Sequence, residues 1–216
     1  MKKRILLLII VLFVLKANAQ NWSTVQQGFD GTVYCLYTDT VNSILYAGGN
    51  FFNSGTTPLN RIAKWNGTAW TPLGTGVAGE VYAMAEYKDT LYVGGQFTTA
   101  GGISANYIAK WDGSTWSSLG TGVNERVYSL AVYNNLLHVG GLFTTAGGSA
   151  ISYIATWDGA SWGNVNSALK PNGLVDQLAV YNGELYAGGN FNGPNHMAKW
   201  NGSLWSNVGT GINGSI

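Results

Sequence analysis

The sequence predicts an all-β chain of tandem repeats, with four four-stranded antiparallel blades of a β-propeller visible. Two spacings and one strand pattern carry that reading. Trp65, Trp111, Trp157 and Trp200 lie 46, 46 and 43 residues apart, and Trp70, Trp116, Trp162 and Trp205 repeat those intervals. The ninth tryptophan, Trp22, precedes Trp70 by 48 residues and joins the second series. The doublets Gly48-Gly49, Gly94-Gly95, Gly140-Gly141 and Gly188-Gly189 keep the same beat, at 46, 46 and 48. A period of this length belongs to propeller blades and related arrays. Within one period the chain reads VYAMAEY (81–87), LYVGGQF (91–97), YIAKW (107–111) and a short strand through Trp116. Enrichment in Val, Ile, Tyr and Trp, bounded by Gly, Asn and Asp, is strand chemistry. No helical periodicity follows the first nineteen residues.

Those nineteen residues read as a signal peptide. Lys2, Lys3 and Arg4 form a basic start, Ile5 to Leu15 is unbroken apolar sequence, and Ala17-Asn18-Ala19 is a small-x-small cleavage site, so the expected mature chain begins at Gln20. The rival, a membrane anchor, is too short: the eleven apolar residues would span about 16 Å of a core roughly 30 Å thick. No cysteine follows the apolar run to carry a lipid. The expected location is therefore secreted, extracellular or cell-surface, with no membrane insertion after cleavage. The whole chain carries +1 and the leader four positive charges, which leaves the mature part near −3 with scattered basic residues. That balance excludes the basic footprint of a nucleic-acid binder and a polybasic membrane patch. Cys35 is the only cysteine, so no intrachain disulfide can form.

The repeats divide residues 20–216 into blades at about 31–70, 77–116, 123–162 and 171–205. Each is a meander whose third and fourth strands are joined through Asn66-Gly67, Asp112-Gly113, Asp158-Gly159 or Asn201-Gly202, pairs that tolerate positive φ and mark hairpins. The two tryptophans of a repeat then fall on one face of neighbouring strands, opposite or diagonal, and pack blade on blade. The competing reading is a row of exposed rings stacking on sugars. Trp22 stands as an orphan outer strand before the first complete blade. Residues 206–216 match the linker that opens each repeat, with Ile216 aligned to Val81 and Val127. The expected ring is therefore incomplete. A closed four-blade ring is the alternative, and it leaves residues 21–30 and 206–216 without a role.

The string LYVGGQFTTAGGISANYIAKWDGSTWSSLGTGV, with its glycine doublet ending a second strand and tryptophans at set distances downstream, resembles the kelch class of β-propeller. It is similar to repeats of large secreted bacterial proteins and to the propeller of fungal cortical polarity-marker proteins. The resemblance covers residues 21–216 and implies the fold; propellers host unrelated activities. In similar bacterial proteins a C-terminal sorting domain often follows the propeller.

Little in the composition points to chemistry. His138 replaces Tyr46, Tyr92 and Tyr186 of the other repeats, and His196 replaces Arg61, Tyr107 and Tyr153. Both read as stand-ins for tyrosine rather than metal ligands, since no HExxH or Cys-His spacing is present. Some kelch propellers are copper radical oxidases, a class that needs two His, two Tyr and a Cys crosslinked to Tyr. Cys35 follows Tyr34, but where other repeats place Ala83, Ser129 and Gln177, which makes it a small buried residue by analogy. The acidic residues are too dispersed to choose a hydrolase pair. GGQF and GTGV lie between strands and cradle no phosphate, and no calcium-loop motif occurs. The expectation is a non-enzymatic binding or scaffold module without cofactor, for a protein or carbohydrate partner. The alternative is a fragment of an extracellular oxidase or glycan-active enzyme whose decisive residues lie in further blades. In a meander, the second-to-third loops and the blade-to-blade linkers share one rim, and these are the long, varied segments. Long loops on a rigid scaffold carry recognition, so the candidate ligand-face residues are Thr57, Ile103, Ile151 and Pro194. The competing reading is that TTAGG is itself a structural element.

Overall fold

The computed structural model describes residues 27–165, 170–191 and 196–209. The leader, Trp22, Pro194 and Ile216 lie outside these residues. Blade 1 comprises β1 (Thr32–Asp39), β2 (Ile44–Asn50), a small hairpin of β3 (Asn53–Ser54) and β4 (Thr57–Pro58), β5 (Ile62–Trp65) and β6 (Trp70–Pro72). Blade 2 repeats this with β7 (Glu80–Tyr87), β8 (Thr90–Gln96), β9 (Thr99–Ala100), β10 (Ile103–Ser104), β11 (Ile108–Trp111) and β12 (Trp116–Ser118). Blade 3 has β13 (Val127–Tyr133), β14 (Leu136–Gly141), β15 (Thr145–Ala146), β16 (Ser149–Ala150), β17 (Ile154–Trp157) and β18 (Trp162–Asn164). Blade 4 has β19 (Leu174–Tyr181), β20 (Glu184–Asn190), β21 (Met197–Trp200) and β22 (Trp205–Asn207). Each blade is a four-stranded antiparallel meander, ordered β1-β2-β5-β6 in the first and equivalently in the others. The described residues contain no helix.

Three of the four core clusters lie between blades, and the fourth, around Ala47, Phe51, Leu59, Ala63 and Trp70, lies in blade 1. One cluster joins Tyr46 and Ile62 of blade 1 to Val81, Met84 and Val93 of blade 2. A second joins Ala83, Ala85 and Tyr87 of blade 2 to Val127, Leu130 and Val139 of blade 3. A third joins Ala131 and Tyr133 to Val175, Leu178 and Leu185 of blade 4. A β-bulge in the first strand of every blade, between Val33/Cys35, Val81/Ala83, Val127/Ser129 and Val175/Gln177, turns the residues on either side of it to opposite faces. Both faces of a blade can therefore be apolar. First strands β1, β7, β13 and β19 pack in succession. Among the described residues the blades form an open arc, which displaces the closed four-blade alternative.

The glycine doublets serve this stacking. A Cβ on Gly48, Gly94 or Gly140 would sit 2.4, 2.4 or 2.7 Å from Cγ1 of Val81, Val127 or Val175 in the following blade. A Cβ on the second glycine would meet a backbone carbonyl of the same blade's first strand: Gly95 would reach Glu80 O at 2.0 Å. Phe51, Phe97, Phe143 and Phe191, just beyond the doublets, are among the largest fully buried side chains.

The tryptophan pairs are directly opposite, Trp65 with Trp70, Trp111 with Trp116, Trp157 with Trp162 and Trp200 with Trp205. Six of the eight are buried. Trp116 Nε1 donates to Leu73 O at 2.8 Å and Trp162 Nε1 to Leu119 O at 2.9 Å, tying each outer strand to the linker that enters its blade. Packing, not sugar stacking, is what these rings do. The intervening turn has four residues, shaped by the Asx side chain: Asp112 Oδ1 accepts from Ser114 N at 2.8 Å and Thr115 N at 2.7 Å.

Candidate functional site

The meander places the second-to-third connections and the linkers on one rim, and the structure ties them together. Val77 of the first linker bridges to Ala100 of the blade 2 hairpin, and Val123 to Ala146 in blade 3. Gly101 N donates to Gly76 O, and Gly147 N to Gly122 O, each at 2.9 Å. The TTAGG segments are thus ordered hairpins with a structural role. Thr57 and Ile103 sit on their exposed strands, Ile103 being 40% exposed. Ile151 is different: it is 6% exposed and occupies the place of buried Ala105, so it offers no contact surface. The difference comes from aligning Ile151 with Ile103: at the 46-residue spacing Ser149 holds the position of Ile103, and Ile151 stands two residues beyond it. Pro194 lies outside the described residues.

Between successive hairpins the rim forms the same groove twice. The first, of about 220 Å³, is lined by Asn60, Arg61, the linker Thr75–Ala78, Thr99 and Gly102. The second, of about 440 Å³, is lined by the equivalent Asn106, Tyr107, Thr121 to Asn124, Thr145 and Gly148. Asn60 Nδ2 donates to Thr75 O and Asn106 Nδ2 to Thr121 O, both at 3.0 Å, fixing one wall to the floor.

Arg61 and Tyr107 belong to the position that the sequence marked only through His196, as a stand-in for tyrosine and not as part of a site. Arg61, Tyr107, Tyr153 and His196 all have positive φ, at 71°, 63°, 65° and 66°, a region costly for large side chains. The backbone holds them there. Tyr107 N donates to Phe97 O at 2.8 Å while Tyr107 O accepts from Gly95 N at 3.0 Å, and Arg61, Tyr153 and His196 repeat this pair. The available signal was a position that changes (Arg, Tyr, Tyr, His) within an otherwise constant frame. On the inner side of the same rim, the bulge residues Tyr34, Tyr82 and Tyr128 form a ladder with ring centroids 5.5 and 5.2 Å apart. Tyr82 Oη donates to Glu80 and Gln96, and Arg126 Nε donates to Gln96 Oε1 at 2.7 Å.

The residues weighed for redox or metal chemistry are dispersed. Cys35 Sγ faces Gly48 O and Val81 O at 3.8 and 3.9 Å, and burial pushes its thiol up to about 12. His138 is buried, edge-on to Tyr133, with Nδ1 3.4 Å from Leu136 O; burial pushes it down to about 4. His196 Nδ1 lies 3.2 Å from Gly189 O. Among the described residues no three His, Cys, Asp or Glu stand together as a metal site would require. On the opposite rim, Asp112 is held well below the usual carboxylate range by hydrogen bonds from Thr115 and Ser114, consistent with its turn role.

Residues 82–216 match the family described as the Rax2 C-terminal beta propeller domain. The chain belongs to this family. The match agrees with the resemblance to fungal polarity-marker propellers. No curated protein sequence matches the chain. Among solved structures it is similar to a computationally designed protein, Ika8, with a TM-score of 0.54 and 16% identity, over 88% of this chain and 54% of that one. At that identity the likeness concerns the fold alone, and the chain spans about half the designed protein's length.

Proposed function

We propose that this Rax2-type propeller is a secreted or cell-surface, non-catalytic binding module, engaging a protein or glycan through its long-loop rim. The observation that carries this reading is the inter-blade groove, formed twice on a constant frame and lined by a residue that differs between blades, Arg61 in one and Tyr107 in the next. A rigid scaffold that holds large side chains in a strained conformation at a groove spends stability there, a pattern associated with ligand contacts. The Tyr34-Tyr82-Tyr128 ladder adds aromatic and hydrogen-bonding surface beside the grooves.

The test is to screen the chain on glycan and extracellular-protein arrays, then to measure any hit against Arg61→Asn and Tyr107→Asn. Asparagine tolerates positive φ, so these variants keep the fold. Each should weaken binding by at least about tenfold, the scale of a substantial contact, while Asp112→Asn on the opposite rim leaves it unchanged. Binding that survives both groove changes and is lost with Asp112→Asn refutes the assignment of the rim.

A further inference from the structure

Tyrosine and lysine close the short-turn rim between blades 2 and 3. Tyr87, the last residue of β7, is 3% exposed, and its Oη donates to Asn135 O at 2.8 Å and Asp158 O at 3.0 Å in blade 3. Lys88 follows it in the turn. Its Nζ donates to Asp158 O at 2.7 Å and lies 5.0 Å from the centroid of the Tyr87 ring. A phenol and an ammonium group together fill this junction.

Between blades 1 and 2 the same place is open. Asp39 ends β1 as Tyr87 ends β7, pairing with Ile44 as Tyr87 pairs with Thr90. The turn that follows, Thr40 to Ser43, carries no basic residue. A Cβ on Gly159 would lie 3.4 Å from Lys88 Nζ, whereas a Cβ on Gly113, its equivalent, would meet nothing within 4 Å. The result is a cavity of about 340 Å³, with Asp39, Glu86 and Asp89 on its wall and Tyr46, Leu91 and Trp111 forming an apolar side. Asp89 and Asp112, counterparts of Asn135 and Asp158, also line it. Among the described residues no side chain donates to their carbonyls, as Tyr87 does one junction on.

The wall carries acceptors and negative charge. Asp39 is 6% exposed. Asn42 N and Nδ2 donate to its two carboxylate oxygens at 2.8 and 2.7 Å, which holds it below the usual carboxylate range. Tyr37 Oη fixes Glu86 by donating to Oε2 at 3.2 Å. Tyr46 is only 9% exposed, and among the described residues its Oη has no hydrogen-bond partner. Burial pushes this phenol up, and the charges of Asp39 and Glu86 push it the same way, so the hydroxyl stands close to both carboxylates. Lys64 is the basic residue on the wall. Its equivalent Lys199 pairs with Glu184 at 3.0 Å, but blade 1 has Ile44 at that place.

We propose that this cavity receives a lysine side chain of a partner protein, its ammonium group taking the place that Lys88 Nζ holds at the next junction. The aliphatic stem lies against Leu91 and Trp111. The Asp39 carboxylate, Tyr46 Oη and Asp112 O accept from the three ammonium protons, the set that a desolvated cation requires. A polypeptide is the source because Lys88 itself reaches its junction from a backbone running along this rim. The cavity lies on the rim opposite the inter-blade grooves and uses other residues, so either site can fail alone.

The test titrates Nα-acetyl-lysine amide into the isotope-labelled mature chain and follows the Gly113 amide and Trp111 indole resonances. Saturable shifts are expected, with none from Nα-acetyl-norleucine amide, which keeps the stem and lacks the charge. Asp39→Asn removes the charge, and Asp39→Tyr installs the ring found at this place in blades 2 and 3; circular dichroism checks that both fold. Each should weaken binding by at least about tenfold, the scale of a substantial contact. Lys64→Met should tighten it by about two- to fivefold, the scale of one exposed charge pair, and Arg61→Asn and Tyr107→Asn should leave it unchanged. The proposal is overturned by the absence of saturable shifts, by equal shifts from the norleucine amide, or by binding that survives Asp39→Asn. Pentylamine that binds where the lysine amide does not would assign the cavity to a free amine and overturn the protein partner.

Discussion

Gly94→Ala tests the claim that the glycine doublet is a blade-stacking device. The added methyl would lie 2.4 Å from Val127 Cγ1 and 3.0 Å from Val127 Cβ. Relaxed carbon contacts need about 3.5–4.0 Å, so the intrusion exceeds about 1 Å against a valine with no exposed surface. Overpacking on that scale costs about 1–3 kcal/mol or somewhat more. Val127→Ala alone removes two buried methyl groups at about 0.8 kcal/mol each and adds a cavity term, about 2 kcal/mol in all. Combined, the two changes should not add. The new methyl occupies the space that Val127 vacates, so the double variant should be about 1–2 kcal/mol more stable than the sum of the single losses. Urea unfolding followed by tryptophan fluorescence reads this directly, with the midpoint and slope fitted together because repeat arrays can lose two-state behaviour. Additive losses, or a Gly94→Ala cost below about 0.5 kcal/mol, would refute the stacking argument.

His138→Tyr restores the residue found at this place in the other three blades and should flatten the acid limb of stability. The buried imidazole has a folded value near 4 against an ordinary value of 6.5, so its contribution is present above pH 6.5 and is lost as pH falls towards 4. Unfolding free energies at pH 7 and pH 4.5 should show the wild type losing on the order of 2 kcal/mol more than the variant; equal losses overturn this. Trp116→Phe removes the indole donor to Leu73 O, a carbonyl that keeps its bond from Gly76 N, so the loss of one hydrogen bond should cost about 0.5–1.5 kcal/mol in the same urea assay. A neutral outcome would mean that the linker is not anchored by this bond.

Much of this architecture is written in spacing. The tryptophan and glycine intervals determined the repeat length, the four-stranded meander and the rim that carries the long connections, because each depends only on alternation and turn chemistry along the chain. Other features arise from contacts between segments far apart in sequence, and only the tertiary structure decided them. The reason for Gly94 is a methyl group of Val127, thirty-three residues later and in another blade. TTAGG is an ordered hairpin because a linker bridges to it, which a sequence window over the loop does not contain. Ile151 is buried because it stands 46 residues after buried Ala105 and takes its place in the blade 3 hairpin, two residues beyond the position of Ile103. Tyr107 is held at positive φ by Phe97 O and Gly95 N, hydrogen bonds that no propensity of tyrosine predicts. The sequence sets period and pattern, which are local; the open space beside Asp39, which Tyr87 fills at the next junction, depends on which blade stands next to which.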